Sequence, residues 1–113
     1  MSAVAKIIAI SGLLFTAACL VAKEAMGQSV EIRIKGHRFM PQRLVVPAGQ
    51  PVRITVINLS AETMEFESFR LNREKVVEPG QAVTIELRPL KAGRYDFYDD
   101  FHADVPEGEI IVR

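Results

Sequence analysis

From Val30 onward, apolar residues recur at every second position in short runs that prolines and glycines keep cutting off. Val30-Glu31-Ile32-Arg33-Ile34-Lys35 alternates strictly between apolar and charged, and Val52, Ile54 and Val56 alternate with Arg53, Thr55 and Ile57. Successive side chains of a strand point to opposite faces, so a period of two buries one face and wets the other. The same signal predicts strands at Leu44-Val45-Val46, Met64 to Phe69, Val76-Val77, Val83 to Leu87 and Tyr95 to Phe97, with Glu109 to Arg113 closing the chain as an edge strand. Pro47-Ala48-Gly49-Gln50-Pro51, Glu78-Pro79-Gly80-Gln81 and Pro89-Leu90-Lys91-Ala92-Gly93 read as turns. Leu71 to Val77 has room for a helical turn, and no other mature helix is predicted. The fold class is therefore all-β, a β-sandwich of seven or eight strands.

The chain has 113 residues, which argues for one domain, and its first part does not belong to that domain. Met1 to Lys6 is a short basic region, Ile7 to Ala22 is largely apolar, and Ala25-Met26-Gly27 suits a small-residue cleavage site. A signal peptide over residues 1–27 and a mature domain over 28–113 are expected. An uncleaved run would be marginally short for a spanning helix, which makes a membrane anchor the weaker alternative. Lipid attachment at Cys19 is weaker still, because Thr16-Ala17-Ala18 lacks the expected leucine. Cys19 is the single cysteine, so the mature domain holds no disulfide and no thiolate ligand. A formal net charge of zero implies no nucleic-acid or membrane-surface partner. Phosphate loops, nucleophile elbows and His-Glu-x-x-His are all missing.

Chemistry concentrates between Arg94 and Gly108. Tyr95, Phe97 and Asp99 point the same way on a strand, so a core face made of the two aromatics ends in an acid. A buried carboxylate is neutralised, hydrogen-bonded or bound to a metal. His102, three residues on, can bring an imidazole to the same spot. Asp96, Asp99, Asp100, Asp104, Glu107 and Glu109 crowd this region with no Lys or Arg between Arg94 and Arg113, a local field that attracts cations. Against this stands the commoner fate of acids after a strand, a solvated turn.

Phe39-Met40-Pro41 before Leu44-Val45-Val46-Pro47-Ala48-Gly49, then Val56-Ile57-Asn58, Glu65-Phe66-Glu67-Ser68 and Asp99-Asp100-Phe101-His102 occur here in one order and spacing. In that arrangement the whole mature domain resembles a cupredoxin, specifically the exported cupredoxin-like domains associated with bacterial iron uptake. The resemblance implies a Greek-key sandwich, a periplasmic location, copper as cofactor, iron as substrate or ligand, and an iron permease as partner. Asp99 stands where a blue-copper protein has its cysteine, His102 matches the later histidine, Met64 falls at or near the earlier one, and no methionine follows His102. Without a thiolate there is no blue-copper site.

What the resemblance leaves is Met64, Asp99 and His102 as a ligand set, with Glu67, Glu65 and Asp100 as supplementary oxygen donors. Thioether, imidazole and carboxylate together suit copper in both oxidation states, and the outer acids suit iron. That combination matches copper-dependent oxidation of Fe(II). A non-catalytic copper or iron carrier is the alternative, and a metal-free accessory module is a third reading. Each residue also has a plainer role: Met64 as core filler, Glu65 and Glu67 solvated or paired with Arg70 or Arg73, Asp100 exposed, and His37 a surface turn histidine. Edge strands permit a homodimer without requiring one.

Overall fold

The computed structural model describes residues 27–113. The expected signal peptide, Cys19 included, lies outside the described residues except for Gly27. Nine strands and no helix make up the described part: β1 (Gln28–Lys35), β2 (Arg38–Met40), β3 (Arg43–Val46), β4 (Val52–Asn58), β5 (Met64–Ser68), β6 (Arg73–Val77), β7 (Ala82–Leu87), β8 (Gly93–Asp99) and β9 (Gly108–Val112). They form a four-stranded sheet, β2-β1-β4-β7, facing a five-stranded sheet, β3-β9-β8-β5-β6.

The alternation seen in sequence becomes burial. Ile32 and Ile34 of β1, and Val52, Ile54 and Val56 of β4, point inward, while Glu31, Arg33, Lys35 and Arg53 face water. The second sheet contributes Phe66, Phe97, Ile110 and Val112. Phe97 joins the layers, meeting Phe39 of β2 edge-on at 4.9 Å between centroids and stacking on Phe66 at 5.2 Å. Each such ring contributes about 1.5–3 kcal/mol through the apolar area it removes from water.

Two expectations are corrected. Leu71 to Val77 holds no helical turn: β6 pairs with β5 from Ser68↔Arg73 to Met64↔Val77, because antiparallel pairing satisfies backbone groups beside a core that Val77 also fills. Nor is the last strand an edge. β9 lies between β3, with which it runs parallel, and β8, antiparallel to it. Ile110 and Val112 are buried and Ile111 half-buried, as a strand covered on both faces and both edges requires.

The tight β1–β2 turn, the β4–β5 loop and the β8–β9 loop contribute to a shared pocket. That pocket holds the site.

Candidate metal centre

Asp99 is the last residue of β8, and its inward placement follows from register: Tyr95, Phe97 and Asp99 occupy one face at 9 %, 0 % and 3 % exposure. The carboxylate is satisfied. Its Oδ1 accepts the backbone N–H groups of Glu65 and Phe101, each at 3.0 Å. Oδ2 sits 2.8 Å from His102 Nδ1. The opposite ring nitrogen, Nε2, lies 2.6 Å from the Glu62 carboxylate. An acidic oxygen at each nitrogen favours the protonated ring, in which both nitrogens donate. The Asp99 hydrogen bond foremost, aided by Glu62, holds the His102 pKa above its ordinary value despite the opposing effect of burial.

Glu62 is the residue that sequence reasoning missed. It is placed by Asn58, the fully buried end of β4, whose amide donates to the Glu62 and Val77 carbonyls at 2.8 Å while its oxygen accepts from Ser60. An Asn-ended strand followed by a Ser and a Glu two and four residues on was the available signal. Ser60, Glu62, Asp99 and His102 border a pocket of about 220 Å³ together with Ile34, Gly36, His37, Ala61 and Val105.

His37 is also drawn in. Its Nδ1 lies 3.2 Å from Asp104 Oδ2, and its ring stands edge-on to that of His102, 6.2 Å between centroids. Met64 is 1 % exposed within the hydrophobic core and does not border this pocket. Glu65, Glu67 and Asp100 come together elsewhere, each offering an oxygen within 4.8 Å of the others. Glu65 and Glu67 are half-buried, Asp100 is exposed, and among the described residues neither glutamate makes an ion pair. Burial foremost, then the charges of Glu74, Glu67 and Asp100, raises the Glu65 pKa, and burial with Glu67 raises that of Tyr98. The trio adjoins the His102 pocket through the chain itself: Glu65 N–H binds Asp99, and Asp100 N–H donates to the Glu65 carbonyl at 3.0 Å.

The sequence profile of the cupredoxin-like domain family matches residues 6–112. The chain belongs to that family. A Rickettsia prowazekii (strain Madrid E) protein, itself uncharacterised, is 43 % identical over 84 residues, spanning 74 % of this chain and 67 % of that one. Among solved structures, the metal-binding domain of the Streptococcus pneumoniae D39 Cu(I)-exporting P-type ATPase CopA, with Cu(I), superposes with a TM-score of 0.66 at 18 % identity, covering 78 % of this chain and 88 % of that one. Auracyanin A, a blue copper protein of Chloroflexus aurantiacus, gives 0.65 at 20 % identity, covering 77 % and 100 %. At these identities the likeness is one of fold.

The cupredoxin fold raises the question of copper, and the donors answer in two parts. A blue-copper arrangement does not fit this pocket, because no cysteine lines it and both oxygens of Asp99 are already engaged. A nitrogen–oxygen site does fit. A ring nitrogen held on one side by a carboxylate and open to a second carboxylate on the other is the arrangement that orients metal-bound histidines.

Proposed function

We propose that this cupredoxin-like domain binds copper at its His102 pocket through nitrogen and oxygen donors, in the periplasm, in support of iron uptake. One observation carries the reading: Asp99 pins Nδ1 of His102 at 2.8 Å, so the imidazole presents Nε2 to Glu62 inside a pocket. His102 and Glu62 would hold the ion, and Asp99 orients the ring from behind. Bound copper supplies a one-electron acceptor. Metal takes the position of the proton on Nε2, so binding releases a proton and strengthens as pH rises.

The Glu65–Glu67–Asp100 trio supports the iron half of the reading. Three carboxylate oxygens that repel one another are relieved by a cation, and as hard donors they suit iron, Fe(III) above all. Fe(II) would be the substrate in this view: Cu(II) held by His102 and Glu62 would supply the one-electron acceptor, with dioxygen restoring it from Cu(I), and the acids would hold the Fe(III) for delivery to a permease. Delivery of metal without oxidation is the second reading, and it uses the same residues.

The test is a Cu(II) titration of the purified protein followed by electron paramagnetic resonance. A tetragonal spectrum with nitrogen coupling, abolished in His102→Ala, is expected; binding unaffected by His102→Ala would refute the site. Aerobic Fe(II) oxidation by the copper-loaded protein, reduced at least tenfold in Glu65→Gln/Glu67→Gln/Asp100→Asn, separates oxidation from delivery. A loaded protein no faster than free Cu(II) selects the carrier.

A further inference from the structure

The chain contains two histidines, in loops 65 residues apart in sequence, and the fold brings both to one pocket. Each has its Nδ1 facing an aspartate: Asp99 for His102 at 2.8 Å, Asp104 for His37 at 3.2 Å. A carboxylate on Nδ1 selects the tautomer that leaves Nε2 free to bind a metal. On His102 that nitrogen meets Glu62; on His37 it has no partner among the described residues.

His37 is also held at a backbone cost. Gly36 and His37 form the two-residue turn between paired Lys35 and Arg38, with φ of 60° and 55°. Such turns favour Asn-Gly or Gly-Gly, and histidine is among the few other residues enriched in the left-handed region, so it sits there at modest cost. The exposed contact with Asp104, whose partners are 61 % and 68 % exposed, is too weak to explain that choice. Non-glycine residues held at a positive φ cluster at ligand sites.

Resting on the copper reading above, we propose that His37 and Glu62 complete the metal site with His102: two imidazole nitrogens and one carboxylate around a divalent first-row ion, with Cu(II) bound most tightly. The donor types and the Irving–Williams order support that choice. Glu62 already touches His102, whereas the donor atoms of His37, Glu62 and His102 are not all within 4.8 Å of one another, so the exposed His37 side chain turns into the pocket of about 220 Å³ that it lines when the ion binds. The ligand set is thus drawn from the β1–β2 turn and the β4–β5 loop as well as from the loop that carries His102.

The probe is Cu(II) added to the purified protein, with electron spin echo modulation counting imidazoles through their remote nitrogens. Two imidazoles are expected in the wild type, one in His37→Gly and in His37→Asn, and none in His102→Ala. Affinity should fall at least tenfold in the two His37 variants and in Glu62→Gln. Both His37 replacements suit a positive φ, so the metal-free variants should melt no lower than wild type, which separates lost ligation from unfolding. A single imidazole in the wild type, unchanged in His37→Gly and lost in His102→Ala, would overturn this proposal and leave the copper reading standing. Binding indifferent to His102→Ala as well would remove both.

Discussion

Replacing Asp99 by asparagine exchanges one oxygen for an amide nitrogen at the most enclosed acid of the site, whose side chain is 1 % exposed. In the wild type the carboxylate accepts two backbone N–H bonds at 3.0 Å and one from the His102 ring at 2.8 Å. Hydrogen bonds to charged groups contribute about 1.5–3 kcal/mol and neutral ones about 0.5–1.5 kcal/mol. In Asp99→Asn all three contacts can persist in neutral form, the new amide donating to Nδ1 and Nε2–H donating to Glu62. Each then loses about 1 kcal/mol, for a total of about 3 kcal/mol, or about 2 after the relieved burial of a charge is counted. For a domain this size that lowers Tm by about 10–20 °C. The loss depends on pH. Because the folded-state pKa of His102 lies above its ordinary value of 6.5, its stabilising effect is complete below about pH 6.5 and disappears as pH rises through the folded value. Asp99→Asn should therefore lose most stability near pH 5.5 and show a flatter decline toward pH 8.5. Thermal melts of the metal-free protein with chelator, across that range, make the measurement. A variant as stable as wild type, or one keeping the wild-type slope, would refute the imidazolium sandwiched between acids.

Asn58→Ala removes four hydrogen bonds from a fully buried residue and should cost about 2–4 kcal/mol, measured by urea unfolding. It should also weaken Cu(II) binding, since the loop carrying Glu62 loses its anchor. Met64→Leu, a volume-conserving change in the core, should cost under about 1.5 kcal/mol and leave Cu(II) affinity unchanged; a large loss of affinity with a small loss of stability would place the thioether among the ligands. Gly108→Ala should destabilise by about 3 kcal/mol or more, because the added Cβ would lie 2.3 Å from the Phe97 ring and 2.8 Å from the Gln42 carbonyl. Phe97 cannot yield, being held between Phe39 and Phe66.

Much of this site was legible one strand at a time. Alternation identifies β1, β4 and β8 and places Asp99 inward, since period and face are local properties of a strand. The spacing from Asp99 to His102 suffices for their contact, because a short turn keeps residues three apart within reach: His102 N–H binds the Asp99 carbonyl at 3.2 Å. Glu62 was not legible in this way. Its distance from His102 is 40 residues along the chain, and only the crossing of β4 and β8 into facing sheets closes it.

The amino-acid sequence by itself determined that this chain is a β-sandwich with an inward acid at the end of β8 and no cysteine among residues 28–113, because side-chain period, turn residues and composition act locally. The tertiary structure alone decided that Asp99 is a satisfied partner of His102, that Met64 belongs to the core, and that the Glu65–Glu67–Asp100 trio gathers beside the pocket. It also decided that His37 and Glu62 meet His102. Those relations depend on which loops the sheet order brings together, and strand pairing between distant segments is a collective outcome of packing that no single stretch encodes.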